Sequence, residues 1–309
     1  MRNAVSEVTG YIYIFGIVMA VLAIVSVQVH SMLEDMKRNV LSQSLEQSFR
    51  RIEHIVYSVA FGGMPAQSVE IELQGGTIYL KKAEPEFIIA FVNFTNSISN
   101  CQVDEGDHFN LYCLNLSTAR IYEGDCVGEF DKKACVLNRT VGILRYEYGD
   151  WAISIEGGAV FSKRGDYSKL IYDPRILVNT TAGNSRYLLM TIPQMDGNLS
   201  TAGSGRIKLL VSEGNGEINF KRIEGVNFGG GAWNNFDKAY LMIRNTEHQD
   251  AWCRFLERFE LLNTSLENTN CHGKLPCNCR IADLPIAKIE PDVDTNMLIV
   301  FKTVIFAQQ

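Results

Sequence analysis

A long apolar run near the N-terminus dominates the pattern of hydrophobic and polar positions. Residues 8–29 carry no charged side chain. A helix rises about 1.5 Å per residue, so a helical run of this length just crosses the hydrocarbon core of a bilayer, which is about 30 Å thick. The pattern therefore predicts a membrane-spanning helix.

The helical pattern continues well beyond this run. Residues 30–61 contain no proline or glycine, and their apolar positions recur at spacings of three to five: Leu33, Met36, Val40, Leu45, Phe49, Ile52, Val56 and Val59. One helix is predicted from about Ser6 to about Ala60, apolar all round in its first half and amphipathic in its second. The glycines and proline of residues 62–65 end it. We therefore expect a stalk at 1–61 and a head at 62–309.

Two other interpretations of the apolar run were weighed. A signal peptide has an apolar core of only about 7–15 residues, followed by a small-residue cleavage site. A buried helix of a soluble protein rarely has about 18 or more uncharged apolar residues. The length of the run, and its continuation into an amphipathic helix, favour an uncleaved anchor.

The first part of the head alternates between polar and apolar positions, as strands do. Residues 68–73 and 77–81 alternate in this way on either side of Gln74-Gly75-Gly76, which predicts a β-hairpin. Residues 87–94 are apolar on both faces, which predicts a central strand.

Short strand patterns then follow one another, separated by turn signals. Such a series is typical of a β-sandwich or barrel, so the fold class we predict is α+β, a long helix followed by a mainly antiparallel, sandwich-like head. The predicted strands are 142–148, 151–156, 159–162, 169–172, 175–178, 187–192, 206–212 and 217–222. A further helix is expected within 234–262, chiefly at 250–262, and residues 297–306 predict a final central strand.

The eight cysteines fall into two groups, one of which marks an insertion at about 100–136 and the other a segment at 253–279. An even number of cysteines in an extracytoplasmic chain favours disulfides within each group. Zinc binding by the second group with His272 was the alternative, although paired C-x2-C knuckles are absent. The candidates are Cys101, Cys113, Cys126, Cys135, Cys253, Cys271, Cys277 and Cys279.

N-glycosylation sequons also lie beyond the apolar run. Together with the cysteines they favour an extracytoplasmic head, whereas the charges flanking the run, with Arg2 alone before it, orient the helix only weakly. The candidate asparagines are Asn93, Asn115, Asn138, Asn179, Asn198 and Asn263.

The residues just before the run resemble a known family. Ala4-Val5-Ser6-Glu7-Val8-Thr9-Gly10 is similar to the start of archaeal type IV pilins, and residues 149–193 resemble the heads of archaeal pilin-like membrane proteins. The resemblance implies that a prepilin peptidase cuts between Asn3 and Ala4, although Asn3 stands where Gly or Ala is usual. It also implies that Glu7 pairs with the freed amine of a sister subunit.

Composition and motifs exclude several other functions. The formal net charge is −6 with no basic stripe, so no nucleic-acid partner is expected. No hydrolase, P-loop, metalloprotease or haem motif occurs, and we expect neither an enzyme nor a cofactor. Asp104, Glu105 and Asp107 lack the spacing of a calcium loop, and 229–231 lacks the residues that complete a phosphate loop.

Two hypotheses of function follow. In the first, the chain is a pilin-like subunit, such as a minor or tip pilin, whose helix joins sister helices in a filament. In the second, it is a permanently anchored surface glycoprotein or adhesin whose head binds a ligand. Both place the N-terminus in the cytoplasm, one helix among membrane lipids, and the head outside the cell.

Overall fold

A computed structural model of the 309-residue chain shows one very long helix followed by a β-rich domain. It describes residues 2–92, 101, 110–115, 120–180, 186–214, 219–226, 238–256, 258, 262–263, 280–281, 284–289 and 295–308. The long helix, α1, spans Arg2–Phe61 without a break, which confirms the predicted helix. It ends where Gly62 and Met64 donate their amides to the carbonyl of Ser58.

The chain forms two compact units, residues 1–47 and 48–309. The boundary between these units falls inside α1, between Gln47 and Ser48. The reason is visible in the last four turns of the helix, because Phe49, Ile52, Val56 and Val59 are fully buried. These residues belong to the core of the second unit, which we call the head.

The described strands of the head include those predicted from the sequence, with bounds shifted by up to five residues, and several that were not predicted. In chain order they are β1 (Gln67–Glu72), β2 (Thr77–Lys81), β3 (Glu86–Val92), β4 (Asn110–Asn115), β5 (Arg120–Tyr122), β6 (Asp131–Thr140), β7 (Ile143–Tyr148), β8 (Trp151–Glu156), β9 (Ala159–Arg164), β10 (Tyr167–Tyr172), β11 (Ile176–Thr180), β12 (Arg186–Gly197), β13 (Ser200–Ala202), β14 (Arg206–Glu213), β15 (Asn219–Val226), β16 (Lys238–Arg244), β17 (Leu262–Asn263), β18 (Arg280–Ile281), β19 (Leu284–Ile289) and β20 (Thr295–Gln308). A short helix, α2 (Gln249–Leu256), follows β16.

The strands build three sheets. The first has the order β1-β14-β20-β12-β11, with β15 also paired to β20; the second is β10-β9-β8-β7-β2-β13; the third is β17-β19-β16-β3-β6-β4-β5, with β18 on β19. Only β12 and β20 pair in parallel among the described strands. The head is thus mostly antiparallel, and β3 and β20 occupy the central positions that their apolar patterns predicted.

The predicted hairpin of β1 and β2 is wrong. β1 pairs with β14 and β2 pairs with β13, in different sheets. Between them, the amides of Leu73 and Gly75 bond the carbonyls of Gly205 and Gly203, so the pairing continues through the bend. Gln74 and Gly75 have positive φ angles of 45° and 95°. The glycine signal therefore marks a bulged bend in one long strand, which carries the chain from the first sheet to the second.

Two other predictions need correction. Among the described residues of the predicted helix 234–262, residues 238–244 form strand β16, Gln249–Leu256 is helical and Leu262 lies in β17. Lys238–Arg244 pairs with β3 over its whole length, so tertiary pairing overrode an ambiguous apolar pattern. The stapled insertion was expected to hold only short elements, but β6 is ten residues long and lies beside β3.

All three sheets and α2 contribute to one hydrophobic core. Its members include Phe87, Leu137, Phe161, Met190, Leu241, Trp252 and Phe301. Trp252 of α2 lies at its centre, with edge-on ring contact to Phe87 at 5.4 Å between centroids.

Candidate membrane anchor and buried polar sites of the head

The first part of α1 is the one helix, among the described residues, that is long and apolar enough to cross a membrane. The candidate span is Gly10–His30, 21 residues long. Its large apolar side chains, from Tyr11 to Val29, are 46–73 % exposed. So much exposed apolar surface is unusual for a soluble monomer, on which contiguous apolar patches rarely exceed a few hundred Å². By length and composition the segment is a membrane anchor or a signal sequence.

Apolar exposure continues past the span on one side of the helix. Met32, Met36 and Val40 follow one another at intervals of four residues and are exposed, as is Leu33. Residues four apart lie on the same helix face. We call these four residues the apolar stripe. Val40 lies ten residues, or about 15 Å, beyond His30 along the axis.

The predicted processing and assembly residues all lie in the first turns of α1. Asn3, Ala4 and Glu7 have helical backbone, so the helix begins before the proposed cut. The described structure of these residues is limited to the backbone, and their predicted roles stay predictions.

The head end of α1 carries a polar cluster that the sequence did not reveal. Tyr57 donates its hydroxyl hydrogen to the carbonyl of Thr191 at 2.9 Å, and its hydroxyl oxygen accepts from the amide of Arg175 at 3.3 Å. The Arg175 guanidinium lies 4.0 Å from the Tyr57 ring centroid, a cation–π arrangement. One helical turn earlier, buried Glu53 lies 3.6 Å from Arg175 Nε. Burial raises the pKa of Glu53 to about 7, although Arg175 lowers it in part.

The turn between β8 and β9 is built around this tyrosine. Gly158 has a φ of +83°, and a Cβ placed on it would lie 2.0 Å from the Tyr57 hydroxyl oxygen. Its neighbour Gly157 has a φ of +56°, and a Cβ there would meet the Phe87 ring at 2.5 Å. The two glycines of the GDWAISIEGGAVF segment therefore form the turn and leave room for α1 at Gly158 and for β3 at Gly157.

A second polar cluster surrounds the segment that enters α2. The His248 ring is buried, stacks on Phe161 at 4.4 Å, and contacts Ser154 Oγ at 2.7 Å and Ser168 Oγ at 2.6 Å. Burial lowers the pKa of His248 to about 3, so the ring is neutral. A serine beside a histidine suggests a nucleophile and base, but both serines are buried as well. This cluster has no exposed nucleophile, and it holds α2 on the second sheet.

The two glutamates of this cluster, Glu156 and Glu247, have pKa values shifted in opposite directions. Trp252 Nε1 donates to Glu156 Oε1 at 2.6 Å, and burial raises the pKa of Glu156 to about 7. Glu247 forms ion pairs with Arg145, Lys163 and Lys81. Burial alone would raise the pKa of Glu247, but the hydrogen bonds and charges of Arg145 and Lys163 lower it to about 2. No local sequence motif marks these residues, because four strands, a loop and α2 bring them together.

The first cysteine group forms disulfides within itself, as predicted. Cys101 bonds Cys135, and Cys113 bonds Cys126. Cys253 is also disulfide-bonded. Cys271, Cys277 and Cys279 lie outside the described residues, as do the acidic loop 104–107 and the glycines 229–231.

The sequons differ in their structural settings. Asn138 and Asn198 are exposed, whereas Asn115 is half-buried on β4. Asn179 lies on β11 and Asn263 on β17, with only their backbones described, and Asn93 lies outside the described residues.

Comparison with known proteins finds a family whose model covers both the candidate membrane span and most of the head. A family model described as "Family of unknown function (DUF7289)" matches residues 3–279. The chain belongs to this family. A protein of Archaeoglobus fulgidus described as an uncharacterized protein is 47 % identical over 313 residues, covering 99 % of this chain and 100 % of that one. No solved structure matches this chain.

Proposed function

We propose that this protein is a pilin-like subunit of the cell surface, held in the membrane by residues 10–30 and exposing its head outside the cell. One observation carries the proposal: a single unbroken helix is apolar and exposed at one end and forms part of the head core at the other. Such a helix can be stored in a bilayer and then transferred into a bundle of sister helices without refolding the head.

The disulfides support the external location. Disulfides persist in oxidising compartments and are rare in the cytosol of most organisms. Two bonds are closed within residues 101–135, and Cys253 is bonded as well. With the head outside, a single span places the N-terminus in the cytoplasm, where a prepilin peptidase acts.

The apolar stripe favours assembly over a lone anchor. Val40 lies about 15 Å beyond the end of the span, so in a monomer this residue is outside the hydrocarbon core and meets water. A neighbouring α1 helix would cover it, because helices associate through rows of residues three and four apart. Sister subunits are therefore the partners we propose, with membrane lipid around the span before assembly. We also propose that the sheets of the head pack as in a β-sandwich and that the head is not an enzyme.

Processing at the N-terminus is the sharpest test. Cutting between Asn3 and Ala4 removes Arg2 and leaves a free amine close to Glu7. N-terminal sequencing of protein purified from membranes of a cell with active prepilin peptidase should give Ala4 as the first residue. In a helix bundle that excludes water, an unpaired Glu7 carboxylate would cost several kcal/mol, so it requires a neighbour's amine.

Replacing Glu7 with Gln should leave membrane insertion and the head intact and should reduce filaments seen by electron microscopy. The matched control is Gln43→Glu, an exposed change farther along the same helix. Recovery of the intact Met1 start, together with normal behaviour of the Glu7 variant, would rule out the pilin-like role.

The second candidate is a permanently anchored surface protein whose head binds a ligand. The size of the head favours it, since residues 48–309 exceed the usual domain of about 50–250 residues and are large for a major pilin. Electron microscopy separates the two, because an anchored monomer forms no filament when it is overproduced.

A further inference from the structure

We propose that Asn138 and Asn198 carry N-linked glycans, whereas Asn115 stays unmodified despite an intact sequon. The inference rests on the proposed external location of the head. A glycosyltransferase must reach the side-chain nitrogen of the asparagine and must hold the Asn-x-Ser/Thr tripeptide in its own binding site. The folded head meets these requirements differently at the three sequons whose asparagine side chains the structure describes.

The side-chain nitrogen of Asn115, to which a glycan would be attached, is engaged in a hydrogen bond. Its Nδ2 donates to Asp131 Oδ1 at 2.6 Å, and the same carboxylate accepts from Tyr122 Oη at 2.5 Å and from the amide of Gly128 at 2.6 Å. The hydrogen bond from Tyr122 is the main cause that lowers the pKa of Asp131, so the acceptor is a carboxylate at neutral pH.

The backbone around Asn115 is fixed as well. Asn115 is paired on one side with Asp131 of β6 and on the other with Arg120 of β5. Two residues earlier, Cys113 is tied to Cys126 by a disulfide. To bind Asn115, a transferase would have to separate it from both neighbouring strands; Leu116 and Ser117 of this sequon lie outside the described residues.

Asn138 is paired on one side, where Asn138, Arg139 and Thr140 lie opposite Ile88, Phe87 and Glu86 of β3. It lies near the end of β6, beyond the last described pair between β4 and β6, which joins Asn110 to Val136. Its side chain is exposed, and its Nδ2 makes only a long bond of 3.4 Å to Glu86. Thr140, the hydroxyl residue of the sequon, is exposed too.

Asn198 lies in the turn between β12 and β13. Its side chain and that of Ser200 are exposed, whereas Leu199 between them is buried. The buried leucine fixes the turn and leaves both recognition residues pointing to solvent. The two open sequons are also neighbours, since Gln194 bonds the carbonyl of Thr140 at 3.0 Å and Met195 bonds that of Val141 at 2.7 Å.

Glycopeptide mass spectrometry of the full chain, purified from membranes of an archaeal host with N-glycosylation, tests the assignment. We expect glycans on the peptides containing Asn138 and Asn198, and the bare mass for the peptide containing Asn115. Thr140→Ala and Ser200→Ala, which remove the sequon hydroxyl and keep the asparagine, should each lower the intact mass by one glycan. Ser117→Ala, the matched change at the closed sequon, should lower it by no glycan.

An impermeant protease added to intact cells locates the head in the same strain. A head removed by the protease but glycosylated at Asn115, or bare at Asn138 or Asn198, overturns this inference and leaves the proposed location standing. A head that is protected in intact cells and cleaved only after lysis overturns both.

Discussion

At the scale of single residues, the head holds ionisable groups whose protonation is set by burial. Glu53 and Glu156 have pKa values of about 7, and each has one carboxylate oxygen without a hydrogen-bond partner in the structure. His248 has a pKa of about 3. An unfolded glutamate releases its proton near pH 4.5, so the buried acids make the head less stable as the pH rises from about 4.5 to about 7. His248 acts oppositely, because the unfolded ring binds a proton below about pH 6.5.

Glu156→Gln should therefore flatten the pH dependence of stability. The folded state holds the proton of Glu156 up to about pH 7 and the unfolded state loses it from 4.5, so the wild-type contribution is full below 4.5, falls through this window and is constant above it. Glutamine never ionises. As the pH rises from 4.5 to 8, the free energy of unfolding of the variant should increase by roughly 1–3 kcal/mol relative to that of wild type.

Thermal unfolding of the purified chain at several pH values measures this difference. The control is Glu72→Gln, the same substitution on an exposed residue of β1, which should leave the slope unchanged. Parallel wild-type and Glu156→Gln curves across this range would contradict the assignment of a shifted pKa to Glu156.

The glycine that faces Tyr57 yields a second residue-scale prediction. Gly158→Ala adds a methyl group within 2.0 Å of the Tyr57 hydroxyl and strains a φ of +83°. We expect a loss of about 2–4 kcal/mol in the free energy of unfolding, because the contact is added to the backbone strain. Gly149→Ala is the matched control, since Gly149 has a φ of +60° but open space around it. It should cost only about 1 kcal/mol, and equal losses in denaturant titrations would disprove the contact.

At the scale of elements, α1 and the β1–β2 strand each serve two parts of the molecule. α1 is exposed and apolar over residues 10–30 and buried in the head at 48–61. The strand made of β1 and β2 bends at Gln74 and Gly75 and belongs to two sheets.

The apolar stripe predicts a loss of self-association. Met36→Glu combined with Val40→Glu places charge on the exposed face of α1, and a bundle of sister helices cannot bury two unpaired carboxylates without a cost of several kcal/mol. Cross-linking of the full chain in membranes should show fewer oligomers than wild type. Gln43→Glu adds one charge to an exposed position that is already polar and should leave the oligomers unchanged. Undiminished cross-linking in the double variant would argue that the stripe has no partner.

At the scale of the whole molecule, one shared core joins the three sheets, and the two described disulfides both involve strands of the third sheet. The Cys101–Cys135 bond closes a loop with a sequence separation of 34, whereas Cys113–Cys126 closes one of 13. Closing a longer loop removes more entropy from the unfolded chain. Cys135 is also part of the central core, with Cys101 packed against it.

Removing the longer bond should accordingly cost more stability. The loop-entropy relation gives about 4 kcal/mol for Cys101→Ser with Cys135→Ser and about 3 kcal/mol for Cys113→Ser with Cys126→Ser. Each double variant also places one serine hydroxyl at a buried position, 113 or 135, so this cost is similar in both. Thermal unfolding of the two double variants and wild type without reductant ranks the two losses of stability. A larger loss for the Cys113–Cys126 variant would contradict the loop-length argument.

The sequence by itself determined the features that depend on local pattern. The run at 8–29 and the spacing from Leu33 to Val59 sufficed for α1, because helix periodicity and bilayer thickness are properties of neighbouring residues. Likewise, the turn glycines between β7 and β10 and the apolar residues of β3 and β20 gave strands in the right places. The clustering of cysteines correctly located two bonds within residues 101–135.

Only the tertiary structure decided which distant segments meet. The glycines at 75 and 76 suit a hairpin and a bulged bend equally, and pairing with β13 and β14 chose the bend. Residues 238–244 became a strand because β3 offered an open neighbour position. The clusters around Tyr57 and His248 join residues 80 or more positions apart, such as His248 and Ser168. Such pairings depend on the burial of the whole core, which no local pattern encodes.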